Sequence, residues 1–224
     1  MQERIYKKFF RFIDINQYRS VLCLNGQLPA KEMFQRIDLP IIAADSAANY
    51  LHDNNIDFEV VIGDMDGVRD EVLSNSKNQI KLMDQDENKN DFQKAMHFMN
   101  NNNLLPTIIF GISGGYIDHI FNNIAIFCNT NNNVFFANNI IGIKLFSKHI
   151  FNLDIGTKIS IAGVPNCSIQ TYGLKWELNN HTLSYLGENS FFNRVISKEV
   201  KINILSGGAI MMVYLEEIID SGLR

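Results

Sequence analysis

Between residues 21 and 137 short apolar runs recur, each stopped by a turn residue and followed by a stretch of helical periodicity. Val21–Leu24, Leu39–Ala44, Val60–Ile62, the run around Gln79–Met83 and Thr107–Phe110 are dense in Val, Ile, Leu and Ala, as strands buried on both faces require. Strands of this kind alternating with helices predict an α/β fold, a mostly parallel sheet with helices on both faces. From Ile140 onward the pattern changes to short strands separated by turns. They are predicted at Ile143–Phe146, His149–Leu153, Lys158–Ala162, Ser168–Gly173, Thr182–Tyr185, Val200–Leu205 and Ala209–Tyr214. That spacing predicts a smaller all-β domain, a sandwich or a barrel. The division falls between residues 1–138 and 139–224. Residues 1–20 mix Lys, Arg and aromatics without a clean period and read as an N-terminal extension.

A chain of 224 residues has room for two such domains. Its net charge of −4 and pI near 5.7 provide no broad basic field, so nucleic acid is not an expected partner. No apolar run reaches the length of a membrane helix, and the first residues lack the basic-then-apolar plan of a leader. The expectation is a cytoplasmic protein without a membrane partner. Cys23, Cys128 and Cys167 are isolated and odd in number, which predicts reduced core residues rather than a disulfide set or a metal cluster.

The stretch Val60-Val61-Ile62-Gly63-Asp64-Met65-Asp66-Gly67-Val68 carries the most chemistry. A strand-type run stops at a glycine, and two carboxylates one residue apart follow. In extended backbone Asp64 and Asp66 leave from one face, and two carboxylates that close repel unless a cation lies between them. A hard divalent ion such as Mg2+ holding phosphate oxygens fits that pair; an exposed acidic turn after a buried strand is the plainer reading. Asp45 ends another buried strand and either faces the ligand edge of the sheet or caps a helix over Ser46–His52. The polar run from Asp84 to Asp91 either supplies further ligands or is a solvated loop with Asp91 as a helix cap or first-turn acid. In Phe110-Gly111-Ile112-Ser113-Gly114-Gly115-Tyr116-Ile117-Asp118-His119 a strand runs into three glycines and then a helix. Such glycines let backbone N–H groups approach phosphate, although the P-loop Lys-Ser/Thr is missing. His119 by itself reads as a hydrogen-bonded structural group, and the single tryptophan, Trp176, as core or a stacking surface.

Taken in order, Ala44-Asp45-Ser46-Ala47-Ala48-Asn49, Gly63-Asp64-Met65-Asp66, Asn90-Asp91-Phe92, Gly114-Gly115-Tyr116-Ile117-Asp118-His119 with Asn123, and Gly173-Leu174-Lys175-Trp176 resemble the motifs of the thiamine pyrophosphokinase family. The resemblance runs from about residue 21 to the end. It implies Mg2+-dependent transfer of the pyrophosphoryl group of ATP to thiamine, giving thiamine diphosphate and AMP. It also implies a nucleotide-binding catalytic domain over 1–138, a thiamine-binding domain over 139–224, and a homodimer with thiamine held between subunits. Carried over by residue, Asp64, Asp66 and Asp91 would hold the metal, and these three with Asp118 would form the catalytic set. Asp45, Gly63, Gly114, Gly115, His119 and Asn123 would line the nucleotide and phosphates, and Trp176 and Asn193 the thiamine.

This chain departs from that pattern in four places. Tyr116 stands where the family commonly has Arg, which removes a cation expected near phosphate. The usual Asp-x-Thr-Asp is Asn88-Lys89-Asn90-Asp91, with Asp84 or Asp86 as possible substitutes. Asp-Gly-Gly is Asp45-Ser46-Ala47, and a Ser-Asn pair is Phe192-Asn193 with Ser190 nearby. Lys89, Lys94 and Arg194 are the candidate replacement cations. Two rival readings use the same residues. Val61-Ile62-Gly63-Asp64-Met65-Asp66 also resembles the nucleophile motif of haloacid-dehalogenase-type phosphatases, which usually place it on the first strand with a later Asp-Asp pair that this chain lacks. The other is a nucleotide- or thiamine-binding protein without turnover.

Overall fold

The structure, a computed structural model, describes residues 2–75, 80–83, 86 and 88–216. A short helix is expected from sequence over Asp70–Ser76; its Ser76, Gln79 at the start of one predicted strand, and Asp84, Gln85 and Glu87 of the acidic run lie outside the described residues. The chain divides into two compact units, Met1–Asn138 and Asn139–Arg224.

In the first unit the strands are β1 (Ser20–Cys23), β2 (Ile41–Ala44), β3 (Val60–Gly63), β4 (Ile80–Met83), β5 (Thr107–Phe110) and β6 (Val134–Ala137). Every pairing between them is parallel, in the order β6-β5-β1-β2-β3-β4. The chain builds outward from β1 through β2 and β3 to β4, then returns to the other side of β1 with β5. The switch point therefore lies between β1 and β5, where loops diverge at the carboxyl ends of the strands and leave a crevice.

Helices cover both faces. On β6, Phe136 meets Phe9 of helix α1 (Gln2–Phe12), with ring centroids 5.3 Å apart. The adjacent Phe135 meets Phe127 of the helix Ile117–Asn129 at 5.1 Å. Neighbouring residues on a strand point to opposite faces, so these helices pack on opposite sides. Residues 2–12, read from sequence only as an extension, are thus part of the core: Ile5, Tyr6 and Phe9 are buried, and the Tyr6 hydroxyl accepts the Ala30 N–H at 3.0 Å. The remaining helices are α2 (Lys31–Phe34), α3 (Ala47–Asp53), α4 (Asp70–Asn75), α5 (Asp91–Asn101) and α6, the Ile117–Asn129 helix.

The second unit contains β7 (Ile140–Leu145), β8 (Lys148–Asn152), β9 (Lys158–Tyr172), β10 (His181–Ser184), β11 (Ser190–Arg194) and β12 (Glu199–Tyr214). Two pairs of predicted short strands are single long ones, β9 and β12, and β11 was not expected. Lys201 to Asn203 of β12 pair with the end of β9 and with β8, whereas Ala209 to Val213 pair with the start of β9 and with β7. Register shifts at Ile204/Ser206 and Gly207/Ala209 let β12 bend between the two sets of partners. The inward residues, among them Ile159, Ile161, Ile169, Ile202, Met211 and Val213, are buried. Cys23 and Cys167 are buried in their respective units.

Candidate active site

Three carboxylates meet at the carboxyl edge of the parallel sheet. Oxygens of Asp45, Asp64 and Asp66 lie within 4.8 Å of one another. Asp45 directly follows β2 and takes a left-handed conformation, φ +45, which Asp tolerates better than most residues. Its N–H continues the ladder by donating to the Ile62 carbonyl at 2.8 Å, and its side chain is turned inward. Close packing there requires glycine on both sides. A Cβ on Gly63 would lie 2.9 Å from the Asp45 Cβ and 3.1 Å from Asp91 Oδ1, and one on Gly67 would meet the Asp45 carboxylate and lie 2.9 Å from the Ser46 Cβ. The Asp64 to Arg69 loop is pinned by Asn49, whose side chain donates to the Gly67 carbonyl at 2.8 Å and accepts the Arg69 N–H at 3.0 Å.

A fourth carboxylate, Asp91, is brought in by α5. Asn90 is the N-cap, and its side chain and that of Gln93 satisfy each other's backbone N–H groups in a reciprocal capping box. Asp91 is thereby fixed in the first turn. Lys94, one helical turn on and only 3% exposed at its side chain, reaches Asp91 at 3.4 Å and Asp64 at 3.8 Å. Lys94 is one of the three candidate cations named from sequence, and the one these distances put at the carboxylates. Lys89 is paired with Asp86 at 2.9 Å, and Arg194 donates to the Gly156 carbonyl at 3.0 Å. The spacing Asp91 to Lys94 places both on one helix face and was the signal available.

The electrostatics follow burial. Asp45 titrates above the ordinary carboxylate range because it is buried, with Asp64 and Asp66 adding like charge and the Ser46 N–H opposing. Asp91 is also raised, first by burial and then by Asp45, against the pull of Lys94. Asp64 is lowered, chiefly by the Asp66 N–H. Asp86 is held down to about 2 by Lys89 and Asn88, and lies apart from the three-carboxylate group. The buried Asp45 Oδ1 has no hydrogen-bond partner, and the donors are all hard carboxylate oxygens. An orphaned buried acceptor among like charges fits Mg2+ better than it fits a structural turn.

One consequence is a stability prediction. A carboxyl whose folded value is raised gives its full stability only below the unfolded value near 4 and loses it as pH rises through the folded value. Without divalent cation, Asp45→Asn should therefore raise the melting temperature at neutral pH, by roughly 3 °C for about 1 kcal/mol in a chain of this size. It should also flatten the decline in stability as pH rises above the carboxylate range. Melting curves from pH 4 to 8 check this; a variant less stable than wild type at pH 7 would sink it.

The glycine loop lies on the other side of the switch point. The Gln27 N–H donates to the Ser113 carbonyl at 2.6 Å and the Leu24 N–H to the Phe110 carbonyl at 2.9 Å, so the turns after β1 and β5 are stitched together. Asn123 of α6 donates to the Ile112 carbonyl at 3.3 Å. Gly114 and Gly115 both have positive φ, and space beside Gly115 is open. The Ser113 hydroxyl is buried without a partner, a polar group that sequence reading passed over. Asp118 and His119 sit in the first turn of α6, exposed; Asp118 accepts the His119 N–H at 2.9 Å and is not part of the carboxylate group. Tyr116 is 78% exposed, so no cation stands at that position.

In the second unit Trp176 is not core: it is 54% exposed, with Lys175 Nζ 4.7 Å from the ring centroid. Asn193 is buried beneath its loop. Phe192 is exposed, with Lys158 Nζ 5.3 Å from its ring.

A parallel α/β unit with carboxylates clustered after β2 and β3, followed by a β unit, has the hard oxygen donors to hold a divalent cation and phosphate. Residues 31–136 match the family model described as thiamin pyrophosphokinase, catalytic domain, and residues 148–207 match thiamin pyrophosphokinase, vitamin B1 binding domain. Similar curated proteins include thiamine pyrophosphokinase 3 of Oryza sativa subsp. japonica, 27% identical over 222 residues and covering 84% of this chain and 83% of that protein. Thiamine pyrophosphokinase 1 of the same plant is 28% identical, with 84% of each covered. Among solved structures, thiamin pyrophosphokinase from Candida albicans superposes with a TM-score of 0.77 at 15% identity, covering 90% of each chain. The Bacillus subtilis enzyme gives 0.73 at 18%, covering 88% of this chain and 99% of that one. The chain belongs to the thiamin pyrophosphokinase family and is a diphosphotransferase. The motif on β3, the third strand rather than the first, and these matches leave the phosphatase reading without support.

Proposed function

We propose that this protein transfers the pyrophosphoryl group of ATP to the hydroxyethyl oxygen of thiamine, releasing thiamine diphosphate and AMP. The observation that carries the reading is the group of Asp45, Asp64 and Asp66 with an orphaned buried oxygen, flanked by Asp91 and the buried Lys94, in a chain matched by both family models. The alcohol oxygen bonds to the β-phosphorus, the bond from that phosphorus to the oxygen bridging to the α-phosphate breaks, and AMP leaves with that oxygen. The alcohol proton passes to a carboxylate, Asp91 or Asp118. Asp64, Asp66 and Asp91 would hold Mg2+, with Asp45 beside them. When bound, that ion neutralises charge on the phosphates during in-line transfer.

The chain's own residues position and shield. Lys94 neutralises carboxylate charge, and the stitched glycine loop with Gly114 and Gly115 offers backbone N–H groups to phosphate. The β unit takes thiamine, with Trp176 packing on it across a homodimer interface. Exposed apolar side chains in both units, Ile117 and Phe121 on α6 and Trp176, Phe192 and Ile196 in the β unit, support such an interface. No helix among the described residues is long and apolar enough to cross a membrane. Buried thiols at Cys23 and Cys167 fit a reducing compartment such as the cytoplasm.

The test is to incubate protein with ATP, Mg2+ and thiamine and separate the nucleotides. AMP and thiamine diphosphate in equal amounts are expected, and omission of Mg2+ should stop both. ADP or free phosphate as the product would refute the reading, and thiamine binding without any nucleotide turnover would favour a binding protein.

A further inference from the structure

The loop that presents Trp176 is held by two side chains that belong to its scaffold. Asn193, on β11 and only 1% exposed, accepts the Trp176 N–H at 3.1 Å through Oδ1 and donates to the Trp176 carbonyl at 2.7 Å through Nδ2. The same oxygen accepts the Arg194 N–H at 2.8 Å, and the same nitrogen donates to Ser190 Oγ at 3.1 Å. The amide is fully committed, with nothing left for a ligand. Glu177 closes the loop from its other end. Its Oε1 accepts the Gly173 N–H at 2.7 Å and the Leu174 N–H at 2.9 Å, and its Oε2 accepts the Thr171 hydroxyl at 2.6 Å. That hydroxyl in turn accepts the Leu178 N–H at 2.8 Å.

The result is a half-exposed indole on a backbone fixed from both sides. The loop's start is anchored in the core by the buried Leu174, whereas the ring two residues on is half-exposed. Lys175 places its ammonium 4.7 Å from the indole centroid, and the half-exposed ring keeps surface open to a flat partner. A rigid aromatic with few torsions binds a ring at small entropic cost.

We propose that Asn193 and Glu177 are positioning residues for the acceptor, holding Trp176 in the orientation that an aromatic acceptor ring stacks upon. The proposal rests on the reading that Trp176 contacts thiamine. Asn193, which the family resemblance put against the ligand, then acts through Trp176.

Because Trp176 is the only tryptophan, its fluorescence reports on this loop alone. Acrylamide quenching and time-resolved anisotropy are measured on the full chain without ligand, for wild type, Asn193→Ala, Glu177→Ala and Glu177→Gln, followed by steady-state kinetics with thiamine. In Asn193→Ala and Glu177→Ala quenching should rise and residual anisotropy fall. The KM for thiamine should rise about tenfold while kcat stays within about twofold, since orientation and not chemistry is lost. Glu177→Gln keeps an acceptor oxygen for the two loop N–H groups and should restore most of both readouts.

Where Asn193→Ala fails to fold, the Glu177 pair decides. Unchanged quenching and KM in folded Glu177→Ala overturn the proposal, and so does a mobile indole with an unmoved KM. Trp176→Ala separates the two possible failures: an unmoved thiamine KM there refutes the acceptor reading itself, whereas a raised KM beside silent Glu177 variants refutes only the positioning role.

Discussion

Asp64→Ala and Asp66→Ala should each lower AMP formation by at least about 10²–10³-fold, the scale seen when one group that stabilises developing charge is removed. Both residues are exposed and stand on a loop pinned independently by Asn49, so neither change removes a packing contact. Asp66 donates its N–H to Asp64 at 3.3 Å, a bond local to the exposed loop, between residues two apart. In Asp66→Ala stability should stay within about 0.5 kcal/mol of wild type, as for surface changes generally, whereas Asp64→Ala also takes one counter-charge from the buried Lys94 and should lose more. Relief of repulsion among the carboxylates acts in the same favourable direction as in Asp45→Asn. The combination of lost turnover with a preserved melting temperature distinguishes a catalytic group from a structural one. The stabilisation that Mg2+ confers on wild type should also shrink in both variants, because mass action requires the site. Turnover within tenfold of wild type in either variant would remove the paired carboxylates from the mechanism.

Lys94→Met should behave differently, losing both stability and activity. The ammonium is buried between Asp64 and Asp91, and its removal leaves those carboxylates facing each other without a counter-charge. Breaking a fully buried pair costs several kcal/mol. Here the carboxylates are 44% and 36% exposed at their side chains, so water screens part of the effect, and about 1–3 kcal/mol is expected. Turnover should fall about 10²-fold, since no other cation among the described residues is placed at these carboxylates. Asp91, freed from the lysine's pull, should titrate still higher. The variant's extra instability should then grow as pH rises through the carboxylate range and be smallest in acid. Added Mg2+ should recover part of the lost melting temperature by supplying the missing positive charge. A variant with wild-type stability at neutral pH, or one that Mg2+ does not help, would contradict this placement of Lys94.

Much of this site was legible before any coordinates. Asp45, Asp64 and Asp66 each follow a short apolar run, and a polar residue at the end of a buried parallel strand must emerge at the ligand edge. Asp91 was legible as a first-turn acid because its cap, Asn90, and Gln93 are adjacent in sequence. The N-terminal helix escaped notice although its buried positions, Ile5, Tyr6 and Phe9, have helical spacing. Intervening Lys, Arg and Phe blurred the stripe. The long strands β9 and β12 were each divided in the sequence reading, and Pro165 and the Gly207-Gly208 pair fall in the gaps. In the structure, pairing on both sides carries the strands past them, with the shifts in register as the local consequence.

The amino-acid sequence by itself determined the order of elements, the change from an α/β to an all-β plan near residue 138, and the set of carboxylates, glycines and single tryptophan on which the proposed chemistry rests. These features are written in short-range terms: side-chain periodicity, capping pairs and the residues that end a strand. Only the tertiary structure decided that Lys94 rather than Lys89 or Arg194 lies at the carboxylates. It also decided that the turns after β1 and β5 are stitched across the switch point, and that Asn193 is committed to the backbone of Trp176. Each of those outcomes joins groups brought together by strand register and helix packing. The free energy that selects them is burial and charge compensation in the folded state, which no local window of sequence contains.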